Sequence, residues 1–169
     1  MNKRNIIQQA KDILSKRQTD FPQAGDDDKI SLRNSQYQLF PVDEAQDLKD
    51  NWLSVWREGG NIRGNRQFEL LAPIARRGGN TESIAEENAV KRREAWAARH
   101  FEDYQLAGTV AQIKWLVTGS RGLDHMRSVI KEAKDKIRSG TRIEPNPCWS
   151  GYEAYGLQDD GSPNCVPVD

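Results

Sequence analysis

Residues 109–137 read TVAQIKWLVTGSRGLDHMRSVIKEAKDKI, and the parsing of this stretch decides the fold. Val110, Ala111, Ile113, Trp115, Leu116 and Val117 form the densest apolar run of an otherwise polar chain. A break follows at Thr118-Gly119-Ser120-Arg121-Gly122. Beyond it Met126, Val129, Ile130, Ala133 and Ile137 recur at steps of three and four, the spacing that stacks side chains on one helix face. The stretch predicts a short buried helix, a glycine turn with Ser120 as N-cap, and a long amphipathic helix. The predicted class is mainly α. A small domain of about five helices surrounds the hairpin 109–138 and is followed by an extended or β-hairpin-like tail.

Upstream, a helix is expected from Asp43 to Gly59-Gly60, with Ala45, Leu48, Trp52, Val55 and Trp56 as its inner stripe. In the next segment Asn65 is a candidate cap, and Phe68, Leu71, Ala72 and Ala75 point inward. Pro73 should kink or end that helix, because it lacks an N–H and crowds the preceding turn. Ser83 and Glu86 fit a capping box that opens a helix to about His100, with Ile84, Ala85, Ala89, Ala95, Trp96 and Phe101 inside. Trp115 is expected to pack on that helix. Residues 30–42, ISLRNSQYQLFPV, read as an extended segment crossing the surface. Residues 5–17 pattern as a basic helix, and 18–29, QTDFPQAGDDDK, as an acidic linker. The chain thus divides into 1–29, a helical domain over 30–142, and a tail over 143–169.

The 169 residues suit one domain with appendages, and a charged share of 30% against 36% hydrophobic implies a modest core. The zero formal net charge hides an asymmetry, because the helix 123–138 is basic while the tail carries Glu144, Glu153, Asp159, Asp160 and Asp169 with no Lys or Arg after Arg142. Such blocks either neutralise each other within the molecule or mark an interaction tail. No apolar run approaches the roughly 20 residues of a bilayer span. MNKRNIIQQAKDIL lacks the apolar core of a signal peptide, so synthesis in the cytoplasm is expected.

Motifs for chemistry are sparse. His100, His125, Cys148 and Cys165 are the soft ligand candidates, and no pair has metal-binding spacing. Ser120 does not sit in a glycine-x-serine-x-glycine frame. No phosphate-binding glycine motif is present, so neither metal nor cofactor is expected. GGNIRGNR, ARRGG and GSRG do set arginine beside glycine at helix ends, where exposed amides suit anions. A phosphate-handling enzyme would need Arg63, Arg66, Arg76, Arg77 and Arg121 to line one pocket. A helix-turn-helix would place Arg121, Arg127 and Lys131 near the leading edge of its second helix. Arg63, Arg66, Arg121, Arg127 and Lys131 are therefore the candidate anion or nucleic-acid contacts, though neutral overall charge argues for weak non-specific affinity.

In the tail, IEPNPCWSGYEAYGLQDDGSPNCVPVD, Asp160-Gly161 is a tight-turn signal. A turn at 159–162 folds 148–157 against 163–166 and lets Cys148 and Cys165 face each other. Oxidation would add on the order of 3 kcal/mol, whereas a reducing cytosol favours two free thiols. Two strands alone rarely hold in water. Trp149, Tyr152, Tyr155 and Val166 therefore need a second surface, either the basic helix 123–138 or a partner protein.

Two segments resemble known families. ISLRNSQYQLF, WREGGNIRGNRQF, KRREAWAARH and LAGTVAQIKWLVTGSRGLDHM resemble a domain encoded by tailed bacteriophages in or beside head-assembly genes. PCWSGYEAYGLQDDGSPNCVP, 147–167, resembles a C-terminal motif borne by capsid and scaffold-related proteins of marine phages on otherwise unrelated chains. The resemblances imply a non-enzymatic protein of virion structure or head assembly, working with other phage structural or assembly proteins in the host cytoplasm and then in the virion. Recurrence of the tail motif on unrelated chains implies that its aromatic residues dock on a partner. The competing expectation is a small phage-encoded DNA-binding or regulatory protein acting through the basic hairpin 109–138.

Overall fold

The central run is helical only as far as Lys114. In the computed structural model, which describes residues 31–168, these residues form six helices and one β-hairpin. They are α1 (Val42–Asn51), α2 (Leu53–Trp56), α3 (Ile62–Arg76), α4 (Ile84–His100), α5 (Leu106–Lys114), α6 (Leu123–Arg138), β1 (Tyr152–Leu157) and β2 (Pro163–Pro167). The expected helix 5–17 and linker 18–29 lie outside the described residues.

After α5 the backbone turns through Leu116 at φ 53 and continues as an extended strap. The strap lies against the 30–42 segment. Phe40 N–H donates to the Leu116 carbonyl at 3.1 Å, Thr118 N–H donates to the Gln38 carbonyl at 2.8 Å, and Leu39 pairs with Val117. The apolar run is thus half helix and half strap, buried on every side, which is why it shows no helical period. Gln112 fixes the preceding corner by donating from Nε2 to the carbonyls of His100 and Asp103, each at 2.7 Å. Trp115 stacks on Trp96 of α4 at 5.0 Å between ring centroids, so the expected contact with that helix is present.

Several expectations need correction. Gly122 at φ 87, not Ser120, precedes α6, because the turn demands a left-handed residue there. The Asp43–Gly59 helix is interrupted at Trp52 (φ −131, ψ 54), although its stripe stays buried; at the break Trp52 lies beneath Lys134 and Arg138 of α6. Asn61, not Asn65, caps α3 by accepting from Gly64 N–H, while Asn65 Oδ1 accepts from Trp56 Nε1. Pro73 does not end α3, which runs on to Arg76. Pro73 and Glu69, one turn earlier, are both exposed, so the carbonyl that loses its partner is left to water.

Ser83 caps α4 as expected, but the carboxylate of Glu86 reaches past it to Glu82 N–H and to Arg77. Ile84, Ala85 and Ala95 face solvent, and the inner face is Ala89, Val90, Arg93 and Ala97. The hydrophobic spacing of α4 is misleading because its inner face carries an arginine.

The tail forms the expected antiparallel hairpin, with Ala154 opposite Cys165, Tyr152 opposite Pro167, and an irregularity at Gly156. It closes at Asp159-Asp160-Gly161-Ser162, where Gly161 supplies φ 84. The hairpin packs on its own domain: Val166 joins the hydrophobic core, and Tyr155 packs against it.

Candidate functional site

Two buried cations, Arg93 and Lys114, organise the interior. Arg93 is fully buried, and its guanidinium gathers the strap and the 30–42 segment. Nε donates to the Trp115 carbonyl at 3.1 Å and Nη2 to the carbonyls of Leu116 at 2.8 Å and Tyr37 at 3.0 Å. Nη1 donates to Ser35 Oγ at 2.9 Å and to Glu94. Burial lowers its pKa to about 10 against the opposing pull of Glu94. A fork of N–H donors directed at backbone carbonyls from two remote segments fixes topology and leaves nothing for a ligand.

Lys114 ends α5 with only 2% of its surface exposed. Its ammonium lies 4.9 Å above the Trp56 ring, and its stem passes Gly60 and Gly64. It makes no hydrogen bond or ion pair among the described residues. Desolvation lowers its pKa to about 8. A lysine inside VAQIKWLV was a legible signal, since a run buried on all sides must bury the charge within it.

The candidate partner residues of the tail separate into two groups. Cys148 and Cys165 are joined in a disulfide, so the expected pair of free thiols is set aside. Tyr152 hydroxyl donates to Asn51 of α1, Tyr155 hydroxyl donates to Glu153, and Val166 is 1% exposed. These three already make contacts within the chain, and Tyr152 and Tyr155 are half-buried. Arg57 meets Gln158 and Asp160, and Arg138 donates to the Pro167 carbonyl. Trp149 remains, 74% exposed, touching Tyr152 edge-on at 5.9 Å between centroids. Its loop is pinned by the disulfide next to it and by Asn146, which accepts from Cys148 N–H and donates to the Tyr152 carbonyl.

The candidate nucleic-acid contacts do not form one face of free cations. Arg127 pairs with Glu44 of α1, Lys131 pairs with Asp135, and Arg121 stacks on Tyr104 at 3.6 Å. Glu44 also holds the Arg127 pKa above its ordinary value through their hydrogen bond. Arg127 and Glu44 belong to opposite walls of a groove of about 480 Å³ between α1 and α6, floored by Phe40, Leu48, Ile113 and Ile130. Of the arginines a phosphate-handling pocket would need, Arg76 bonds Gln46, Arg77 binds Glu86 and Glu82, and Arg121 is on Tyr104. The five do not line one pocket. Arg63 and Arg66 stay exposed and unpaired among the described residues, on the first turns of α3.

Among the described residues no cluster of three or more His, Cys, Asp or Glu could hold a metal, and no helix is long and apolar enough to cross a membrane. Comparison with family models, curated proteins and solved structures finds no match. What the surface can do is therefore judged from its own chemistry. Its most conspicuous group is one large aromatic side chain held out on a braced loop.

Proposed function

We propose that the protein is a non-enzymatic component of tailed-phage virion structure or head assembly, and that it joins another phage structural or assembly protein through the loop carrying Trp149. The observation supporting this is the 74% exposure of Trp149 on a loop whose backbone is fixed by the Cys148–Cys165 bond and by Asn146. A tryptophan on a rigid loop loses little conformational freedom on docking and brings a large area to bury, the combination that makes interface anchors. Tyr152, Tyr155 and Val166 serve this docking indirectly, by seating the hairpin on the helical domain. The resemblance of the tail to a motif of phage capsid and scaffold-related proteins supports the class of partner.

Particle composition tests the proposal. Mass spectrometry and electron microscopy of purified virions and proheads should find the wild-type protein in at least one of them, and the Trp149→Ala protein depleted from it. Absence of the wild type from both, or unchanged incorporation of the variant, would sink the assignment.

A further inference from the structure

The ammonium of Lys114 stands at the start of α3. Gly60 immediately precedes the Asn61 cap, and a Cβ placed on Gly60 would lie 3.6 Å from Lys114 Nζ and 2.9 Å from Cδ. On Gly64, in the first turn, a Cβ would lie 3.4 Å from the same Cδ. Two glycines thus leave room for the lysine stem, and one of them, at φ 73, sits where few other residues would. Asn61 takes the Gly64 N–H. The N–H groups of Ile62 and Arg63 have no acceptor within the described chain, as the first residues of a helix do not. Arg63 and Arg66, exposed on the same turns, are unpaired among the described residues.

Three features converge here: amides without an acceptor at the positive end of a 15-residue helix, a lysine side chain that is 2% exposed and meets no acceptor among the described residues, and two arginines at the rim with no partner among them. Burying an ammonium without a counter-charge opposes folding, and the Trp56 ring offsets only part of that cost. A methionine or leucine would fill the same space without it. The geometry points to an oxyanion site of phosphate size at the first turn of α3, held by Lys114 Nζ and the amides of Ile62 and Arg63, with Arg63 and Arg66 at its rim. The bound anion supplies the charge that the fold withholds from Lys114. The lowered pKa of Lys114 fits an ammonium lacking its partner, and anion binding should raise it. The ligand chemistry is a phosphate group, either of a small phosphate or of a nucleic-acid backbone. It is independent of the Trp149 loop.

The test is a titration of the isotope-labelled full-length protein with inorganic phosphate, followed by NMR at the amides of Asn61–Gly64 and at the Lys114 ammonium. The expected result is a saturable shift of both sets with one Kd. In Lys114→Met that Kd should weaken by about tenfold or more, the loss of one charge-assisted hydrogen bond, while the melting temperature holds or rises. A parallel titration with a short single-stranded oligonucleotide separates the two sources: whichever ligand saturates at lower concentration is the natural class. No saturable shift with either ligand overturns the site, as does an unchanged Kd in Lys114→Met. Should that variant fail to fold, the wild-type titration decides by itself.

Discussion

Arg93 and Lys114 are both cations buried in one core, and their surroundings are opposite. Around Arg93 the chain supplies carbonyls from Tyr37, Trp115 and Leu116 together with Ser35 and Glu94, so every arm of the guanidinium is used. Around Lys114 it supplies an aromatic ring and two glycines, and no hydrogen-bond acceptor among the described residues. The contrast shows that a buried charge is not one phenomenon. Where the fold satisfies the charge, the residue belongs to the fold. Where it does not, stability has been given up, and the reason lies with something that binds. The tail repeats the pattern: Val166 is enclosed by the core, whereas Trp149 on the same hairpin is left in solvent.

The largest expected effect is on the satisfied cation. Arg93→Met should cost about 3–5 kcal/mol, because it strands buried carbonyls on the strap and on the 30–42 segment and removes the side chain that ties α4 to both. Urea denaturation measures it. A loss below about 1 kcal/mol would mean that water replaces the guanidinium and that the two cations do not differ as described. Arg93 also marks the limit of what the sequence discloses. Its spacing from Ala89, Val90 and Ala97 puts it on the inner face of α4, but its partners are remote in the chain, and their approach is a tertiary event. The strap was illegible for a related reason: Trp115, Leu116 and Val117 are apolar on consecutive positions, which suits a helix or an extended segment equally.

Next in size is the tail. Turn chemistry is local, so Asp160-Gly161 and the pairing of 148–157 with 163–166 could be read from sequence; the surface on which the hairpin sits could not. Since Val166 lies in the core and Tyr152 is bonded to Asn51, the hairpin should unfold with the helices in one transition. Replacing both Cys148 and Cys165 by serine should lower stability by about 3 kcal/mol, the constraint lost from a loop of this length. Calorimetry that resolves a separate early transition for the tail would move it to the class of unattached features, beside Lys114.

The third effect has the opposite sign. Lys114→Met should raise stability at neutral pH by on the order of 1–2 kcal/mol, by removing an uncompensated charge. Its pH dependence follows from the direction of the shift. The folded pKa of about 8 lies below the ordinary lysine value of 10.5. Between those values the unfolded chain retains a proton that the folded chain has released, so wild-type stability climbs with pH across that window. Below about pH 8 both states are protonated and the penalty is complete. The advantage of methionine should therefore be greatest at pH 7 and shrink as pH rises toward 10. An advantage independent of pH would assign the gain to packing, and a loss of stability would show that the Trp56 contact satisfies the ammonium after all.

The smallest effect on stability is expected where the effect on function is expected to be largest. Trp149 makes one edge contact with Tyr152 and is otherwise in solvent. Surface substitutions of this kind usually change stability by no more than about 0.5 kcal/mol. Trp149→Ala should melt with the wild type, and because the loop is braced by Cys148–Cys165 and Asn146 rather than by the indole, the hairpin register should be unchanged in NMR spectra. The indole ring is the part of the tail that the domain does not use. If it is an anchor, the variant fails to enter particles while remaining fully folded, a separation that Val166→Ala could not produce because it would disturb the core as well. Measuring melting and particle incorporation on the same preparations distinguishes the outcomes. A variant that is destabilised as well would place Trp149 with Val166, as another brace of the hairpin, and the contrast between the enclosed and the exposed halves of the tail would be lost.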